Sequence, residues 1–207
     1  MKRIFLLAAA LGCISLYSCD NDQDLSDLTP FELEVLELNN LIASQSNFDE
    51  EALLDDLCRG TMKMTSHYNI ENGEVVEFKW PAGFNVPCLQ TLFFADGTCR
   101  ECYTECTVGI GGNPSVIEDT YYECDWRYDS DTRSIIMHYN NYLTSVDGER
   151  IYFDDTATKV LYYNTETHRL ILEGHIYSYR RYVIRMSGYI DVDPAERERI
   201  IEKYCGE

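Results

Sequence analysis

Thr61-Met62-Lys63-Met64-Thr65-Ser66-His67-Tyr68-Asn69-Ile70-Glu71-Asn72-Gly73-Glu74-Val75-Val76 is the stretch whose reading decides the fold. Met62, Met64, Ser66, Tyr68 and Ile70 alternate with Thr61, Lys63, Thr65 and His67. A period of two sends successive side chains to opposite faces of an extended ribbon. Asn72-Gly73 follows, and both residues tolerate the positive φ that a tight hairpin turn requires. Val76, Phe78 and Trp80 then line one face of a return strand, and Pro81 and Pro87 bracket a loop.

The same grammar continues to the C-terminus. Leu89–Ala95 predicts a third strand, turned by Asp96-Gly97 into a fourth over Thr98–Thr107, and Val108–Ser115 reads as a Gly-rich irregular segment. Tyr122, Cys124, Trp126 and Tyr128 share one face of a strand near Tyr121–Tyr128, which Asp129-Ser130-Asp131 turns into Ser134–Tyr142. Asp147-Gly148 makes another turn. Ile151–Phe153, Val160–Tyr163, Leu170–Leu172 and Tyr182–Ile190 supply further strands. Many short strands joined by tight turns indicate a sandwich or barrel. Consecutive hairpins favour an up-and-down meander, and closing it removes exposed strand edges.

Helical periodicity flanks this region. Thr29-Pro30-Phe31-Glu32 forms a helix start, with Thr29 as cap, Pro30 in the first turn and Glu32 completing a capping box. Phe31, Val35, Leu38 and Ile42 recur at helical spacing. A second start is read at Ser46-Asn47, with Asp49, Glu50 and Glu51 favourable to the helix dipole, Leu53, Leu54 and Leu57 as a stripe, and Gly60 as terminator. Asp193-Pro194-Ala195-Glu196 opens a short C-terminal helix with Ile200, Ile201 and Tyr204 on its contact face. The expected organisation is a helical segment over residues 29–59 and a mainly β domain over residues 60–207 that includes the last helix.

The N-terminus carries targeting information. Lys2 and Arg3 precede an apolar run from Ile4 to Leu16. That run is shorter than the roughly 20 helical residues needed to span a bilayer. It reads as a signal peptide over residues 1–18. Leu16-Tyr17-Ser18-Cys19 resembles a bacterial lipobox, which implies acylation of Cys19 and a membrane-anchored mature protein. Residues 19–28 form an acidic tether, and Asp20-Asn21-Asp22-Gln23-Asp24 is similar to a surface-export signal of Bacteroides-type lipoproteins. The expected location is the outer membrane, facing the cell exterior.

Gly60-Thr61-Met62-Lys63, Phe93-Phe94-Ala95-Asp96-Gly97-Thr98, Asp125-Trp126-Arg127-Tyr128-Asp129 and Val160-Leu161-Tyr162-Tyr163-Asn164 carry a family likeness. Over roughly Leu53–Val192 the chain resembles the lipocalin-like lipoproteins of Bacteroides-type bacteria. Where lipocalins proper carry Gly-x-Trp, this chain has Gly60-Thr61-Met62. The resemblance implies an antiparallel up-and-down lipocalin-like β-barrel whose interior holds a small ligand.

Cys58, Cys88, Cys99, Cys102, Cys106, Cys124 and Cys205 follow the anchor cysteine. Three readings stand side by side: disulfides, buried reduced thiols, and a zinc or redox centre. On an extended strand Cys99 and Cys102 face opposite sides, whereas Cys102 and Cys106 share a face about 13 Å apart. A tetrahedral site with Zn–S near about 2.3 Å does not span that distance, so no metal is expected. Cys124 shares the inferred inward face of Trp126, which makes Cys102, Cys106 and Cys124 the candidates for a disulfide.

A net charge of -19, from 17 Lys and Arg against 36 Asp and Glu, excludes a phosphate-binding surface and with it a nucleic-acid partner. It equally disfavours electrostatic adhesion to anionic lipid. His67, His138, His168 and His175 show no metal-binding spacing, and neither a nucleophile elbow nor a phosphate loop is present. The expectation is therefore a non-enzyme without cofactor. Met62, Met64, Phe78, Trp80, Trp126, Tyr128 and Tyr162 are the candidate interior residues for a small apolar or amphipathic ligand. The alternative is a filled core and a surface lipoprotein acting through protein contacts. Arg180, Arg181 and Arg185 break the acidic background, pairing surface acids or holding an anionic group.

Overall fold

The structure, a computed structural model, describes residues 25–45, 47–77, 88–104, 106–110, 113–117, 120–140, 142–144, 150–152, 155–175 and 183–205. The signal and lipobox segment with Cys19, the start of the tether, Phe78, Trp80, Arg180 and Arg181 lie outside the described residues, as do the side chains of Cys88 and Cys106. Two compact units are distinguished, Met1–Glu34 and Val35–Glu207.

In the first unit, a 3-10 turn at Leu25–Asp27 precedes the opening of helix α1 (Pro30–Ser44). The capping box read from the sequence is made. Thr29 N–H donates to Glu32 Oε2 at 2.8 Å, and Glu32 N–H donates to Thr29 Oγ1 at 3.2 Å.

The second unit is built around a sheet of β1 (Thr61–Glu71), β2 (Glu74–Glu77), β3 (Cys88–Phe93), β4 (Thr98–Thr104), β7 (Thr120–Asp129), β8 (Ser134–Tyr139), β11 (Thr156–Tyr163), β12 (Arg169–His175) and β13 (Val183–Asp191). Hydrogen-bonded neighbours run β13-β12-β11-β8-β7-β4-β3-β1-β2, and β13 also pairs with β1. That last pairing, from Thr61↔Asp191 to Ile70↔Val183, shuts the ring. Eight of the nine strands form a closed up-and-down antiparallel barrel, as the sequence reading expected, and β2 pairs with β1 alone. Two hairpins, β5 (Cys106–Ile110) with β6 (Asn113–Ile117) and β9 (Tyr142–Thr144) with β10 (Arg150–Tyr152), are inserted between barrel strands. The fourth strand thus stops at Thr104, and the region read as irregular contains a hairpin. Its Gly109↔Pro114 pairing shows why composition hid it: both residues are depleted in strands.

The local rules hold at the turns. Asn72 (φ 54) and Gly73 (φ 82) both take the positive φ of the predicted hairpin turn. Helix α2 (Glu50–Arg59) is capped at Asp49, whose carboxylate accepts the Ala52 N–H at 3.0 Å, in place of the Ser46-Asn47 start read from the sequence. Gly60 ends α2 for reasons of space: a Cβ there would lie 2.5 Å from Ile190 Cγ2 and 2.9 Å from the Asp56 carbonyl oxygen.

Helix α2 sits at the barrel end where β1 begins and the Phe94–Gly97, Asp129–Arg133 and Asn164–His168 connections turn back. Leu53 and Leu57 enter the same core cluster as Met62, Met64, Phe93, Tyr163 and Ile190, so α2 closes that end. Helix α1 is tied to the outside of the ring. The Gln45 side chain donates to the Tyr163 carbonyl oxygen (2.7 Å) and accepts the Tyr163 N–H (2.9 Å), satisfying backbone groups that face beyond the last β8–β11 pair. Arg185 reaches Asn39 at 3.0 Å and pairs with Glu173 at 2.7 Å, so it holds surface acids, as one sequence reading expected. Helix α3 (Pro194–Cys205) is capped by Asp193, which accepts the Ala195 N–H at 2.9 Å. It buries Ile200 and Tyr204 against Leu92 and Cys102 on the outer face of β3 and β4. Lys63 pins its first turn through Asp191 (2.8 Å) and Glu196 (2.9 Å).

Candidate functional site

Residues paired across antiparallel strands share a face, so the register sorts the inner wall from the outer. Cys124, Trp126 and Tyr128 pair with Tyr139, Met137 and Ile135, and all six belong to, or pack against, one core cluster. Met62 and Met64 belong to it as well. Five of the sequence-derived interior residues, taken as Met62, Met64, Trp126, Tyr128 and Tyr162, are described in full, and the first four face inward. Tyr162 is placed otherwise. A bulge between Val160 and Tyr162 puts Tyr163 inward opposite Leu170 and sets Tyr162 opposite Ile171, outside that cluster.

A second bulge, between Met64 and Ser66, reverses the faces of β1. Before it, Met62 and Met64 point inward. After it, His67 and Asn69 pair with the inward Met186 and Ile184, while Tyr68 pairs with Arg185 on the outside. The single alternation read through Met62, Met64, Ser66, Tyr68 and Ile70 is therefore corrected at Thr65. One extra residue shifts the phase, and only cross-strand pairing reveals it.

The interior consequently has two halves. Near α2 it is packed and oily: Leu57 and Phe93 are 0% exposed and Met62 7%. Phe93 and Trp126 meet edge to face at 4.7 Å, and Trp126 Nε1 donates to the Phe94 carbonyl oxygen at 2.9 Å. Beneath this floor Asp56, itself buried, accepts from the Tyr163 hydroxyl and from Arg59 Nε at 2.6 Å, and lies 2.8 Å from His168 Nδ1. Burial alone would raise the Asp56 carboxyl, but hydrogen bonds from Tyr163, Arg59 and His168 hold it below its usual range.

Toward the opposite end the inner wall turns polar. Tyr139, on the last residue of β8, donates to Glu101 Oε2 at 3.0 Å, and both side chains are buried. Burial, reinforced by the Glu101 charge, pushes the Tyr139 phenol far up, so it stays a donor. Burial pushes the His67 imidazole down to about 4, leaving it neutral at physiological pH. Asn69 Oδ1 is buried without a hydrogen-bond partner among the described residues, as are Thr91 Oγ1, opposite Met62, and the Tyr128 hydroxyl nearer α2. The β1–β3 seam also changes along its length. It pairs at Met62↔Thr91 and Lys63↔Gln90, whereas Tyr68–Glu71 pair with β2.

Glu101, Tyr139, His67 and Asn69 were not singled out from sequence. The β1 alternation sets His67 on the face opposite Met62 and Met64, and the bulge brings it and Asn69 to the inner wall. The thiols are also rearranged. Cys124 stands directly opposite Cys99, while Cys102 packs outside with Ile200 and Tyr204, so Cys102 and Cys124 lie on opposite faces and cannot bridge. Among the described residues no group of three or more His, Cys, Asp or Glu side chains is placed to hold a metal ion.

No protein-family model matches the chain, and no curated protein matches it. Among solved structures it is similar to a DUF4847 family protein from Bacteroides vulgatus ATCC 8482, at 13% identity and a TM-score of 0.33, over 69% of this chain and 98% of that one. Apocrustacyanin C2 is similar at 11% identity and a TM-score of 0.35, over 82% and 79%. Bovine odorant binding protein in complex with a selenium-containing odorant is similar at 10% identity and a TM-score of 0.34, over 77% and 83%. The barrel assignment rests on the strand order and the β13–β1 closure.

Proposed function

We propose that this protein is an exported lipoprotein, anchored through Cys19 and facing the cell exterior, whose barrel binds a small amphipathic molecule. The observation that carries the binding reading is the graded inner wall. An apolar floor under Met64, Phe93 and Leu172 gives way to buried hydrogen-bonding groups at Asn69, Glu101 and Tyr139. A ligand with an apolar body and one hydrogen-bond-donating group suits such a wall, because a buried acceptor left unmatched costs about 1–3 kcal/mol. The role is binding without chemistry, and the membrane is engaged through lipid alone.

The neutral fluorophore N-phenyl-1-naphthylamine tests the pocket. Saturable one-to-one binding is expected, with n-decanol displacing it at lower concentration than n-decane. Asn69→Leu should narrow that preference several-fold. Absence of saturable binding would favour the filled-core reading, in which the protein acts through surface contacts. For the anchor, metabolic labelling with a fatty acid should mark the wild-type chain and not Cys19→Ala. Protease shaving of intact cells should remove the domain, and full protection would place it on the periplasmic face.

A further inference from the structure

Cys99 and Cys124 are a directly opposed pair on neighbouring strands β4 and β7. Both face the interior, with exposures of 1% and 2%, and both are thiols in this structure. The neighbouring Trp126 N–H donates to the Gly97 carbonyl oxygen at 2.7 Å, and Asn140 N–H donates to the Glu123 carbonyl oxygen at 3.1 Å. These two bonds set the ladder phase, and together they place Cys99–Cys124 at a hydrogen-bonded position of the β4–β7 pair. Cα atoms at such positions are about 5.5 Å apart, inside the roughly 4.4–6.8 Å window for a disulfide.

We propose that Cys99 and Cys124 are an oxidation site and form a cross-strand disulfide on the inner wall of the barrel. The oxidant is a second disulfide, of a small molecule or of a thiol oxidoreductase. One thiolate attacks it, giving a mixed disulfide and releasing one thiol. The other cysteine, losing its proton, displaces the second donor sulfur. Two protons and two electrons leave the pair, and the donor disulfide becomes two thiols. The bond staples β4 to β7, which the chain otherwise joins through residues 105–119. The hydrogen bond to Cys99, with burial behind it, pushes the Cys124 thiol up. The folded pair is thus a weak nucleophile, and the exchange belongs to the folding chain. This inference is independent of the ligand reading and of the anchor.

The test uses the full chain, reduced and denatured, then refolded with reduced and oxidised glutathione, quenched with an alkylating reagent and digested. The expected product joins the Cys99 and Cys124 peptides and is two hydrogens lighter than their sum. Recovery of both residues alkylated, or of either joined to Cys102 or Cys205, overturns the proposal. As a second measurement, the oxidised protein should melt roughly 5–10 °C above the reduced one. Cys99→Ala should melt at one temperature under both conditions, and a redox shift of wild-type size in that variant also overturns it.

Discussion

The two ends of the barrel are made from the same strands and do different work. At the α2 end the inward positions are mostly apolar and packed, with Thr91 and the Tyr128 hydroxyl as polar exceptions, and the buried acid there, Asp56, is met from three sides by Tyr163, Arg59 and His168. At the other end the same wall carries His67, Asn69, Glu101 and Tyr139, where Tyr139 donates to Glu101 and Asn69 Oδ1 is buried without a partner among the described residues. On the proposed binding function, the contrast separates stability from recognition along the barrel axis. One end is dominated by apolar packing above a satisfied carboxylate, and the other concentrates polar side chains on the interior.

Truncating the floor should cost most. Leu57→Ala removes a fully buried side chain that plugs the barrel, and a loss of about 3–4 kcal/mol is expected in denaturant unfolding. Probe affinity in the surviving folded fraction should be unchanged; a loss of affinity beyond the unfolded fraction would break the separation.

The next effect is a pH response belonging to the polar end. His67 titrates near 6.5 unfolded and at about 4 folded, so the unfolded state binds the extra proton between those values. Stability should therefore be complete above pH 6.5 and fall by roughly 3 kcal/mol on descent to pH 4. His67→Gln should flatten that window. The Asp56 carboxyl, lowered in the folded state, acts at lower pH: its contribution is present above the usual carboxylate range and lost as acid protonates it.

Smaller still is Asp56→Asn, which weakens the charge-assisted hydrogen bonds beneath the floor and should cost about 2 kcal/mol with no change in ligand preference. Tyr139→Phe closes the series. It removes the donor to Glu101 and should cost about 1 kcal/mol of stability while shifting alcohol-over-alkane discrimination several-fold. If Tyr139→Phe destabilised as much as Leu57→Ala and left binding untouched, the two ends would not be distinct.

Much of this architecture was legible beforehand because it is local. The Thr29–Glu32 capping box, the Asn72-Gly73 turn and the inward set Cys124, Trp126 and Tyr128 depend on residues a few positions apart, and each is found where read. The candidate site was legible only in part. Met62, Met64, Trp126 and Tyr128 reach the interior but belong to its packed half. Tyr162 lies outside the interior because a bulge precedes it, and the register partner of Cys124 is Cys99, which the expected set of Cys102, Cys106 and Cys124 does not include.

Alternation of apolar and polar residues, turn chemistry and capping by themselves determined that this chain makes consecutive antiparallel strands flanked by helices, since those preferences act within one ribbon or one helical turn. Which face each side chain takes after a bulge, which cysteines meet, and where a buried carboxylate finds its phenol were decided only in three dimensions. Register is set by pairing between strands distant in sequence, and a slip of one residue exchanges the inner wall for the outer.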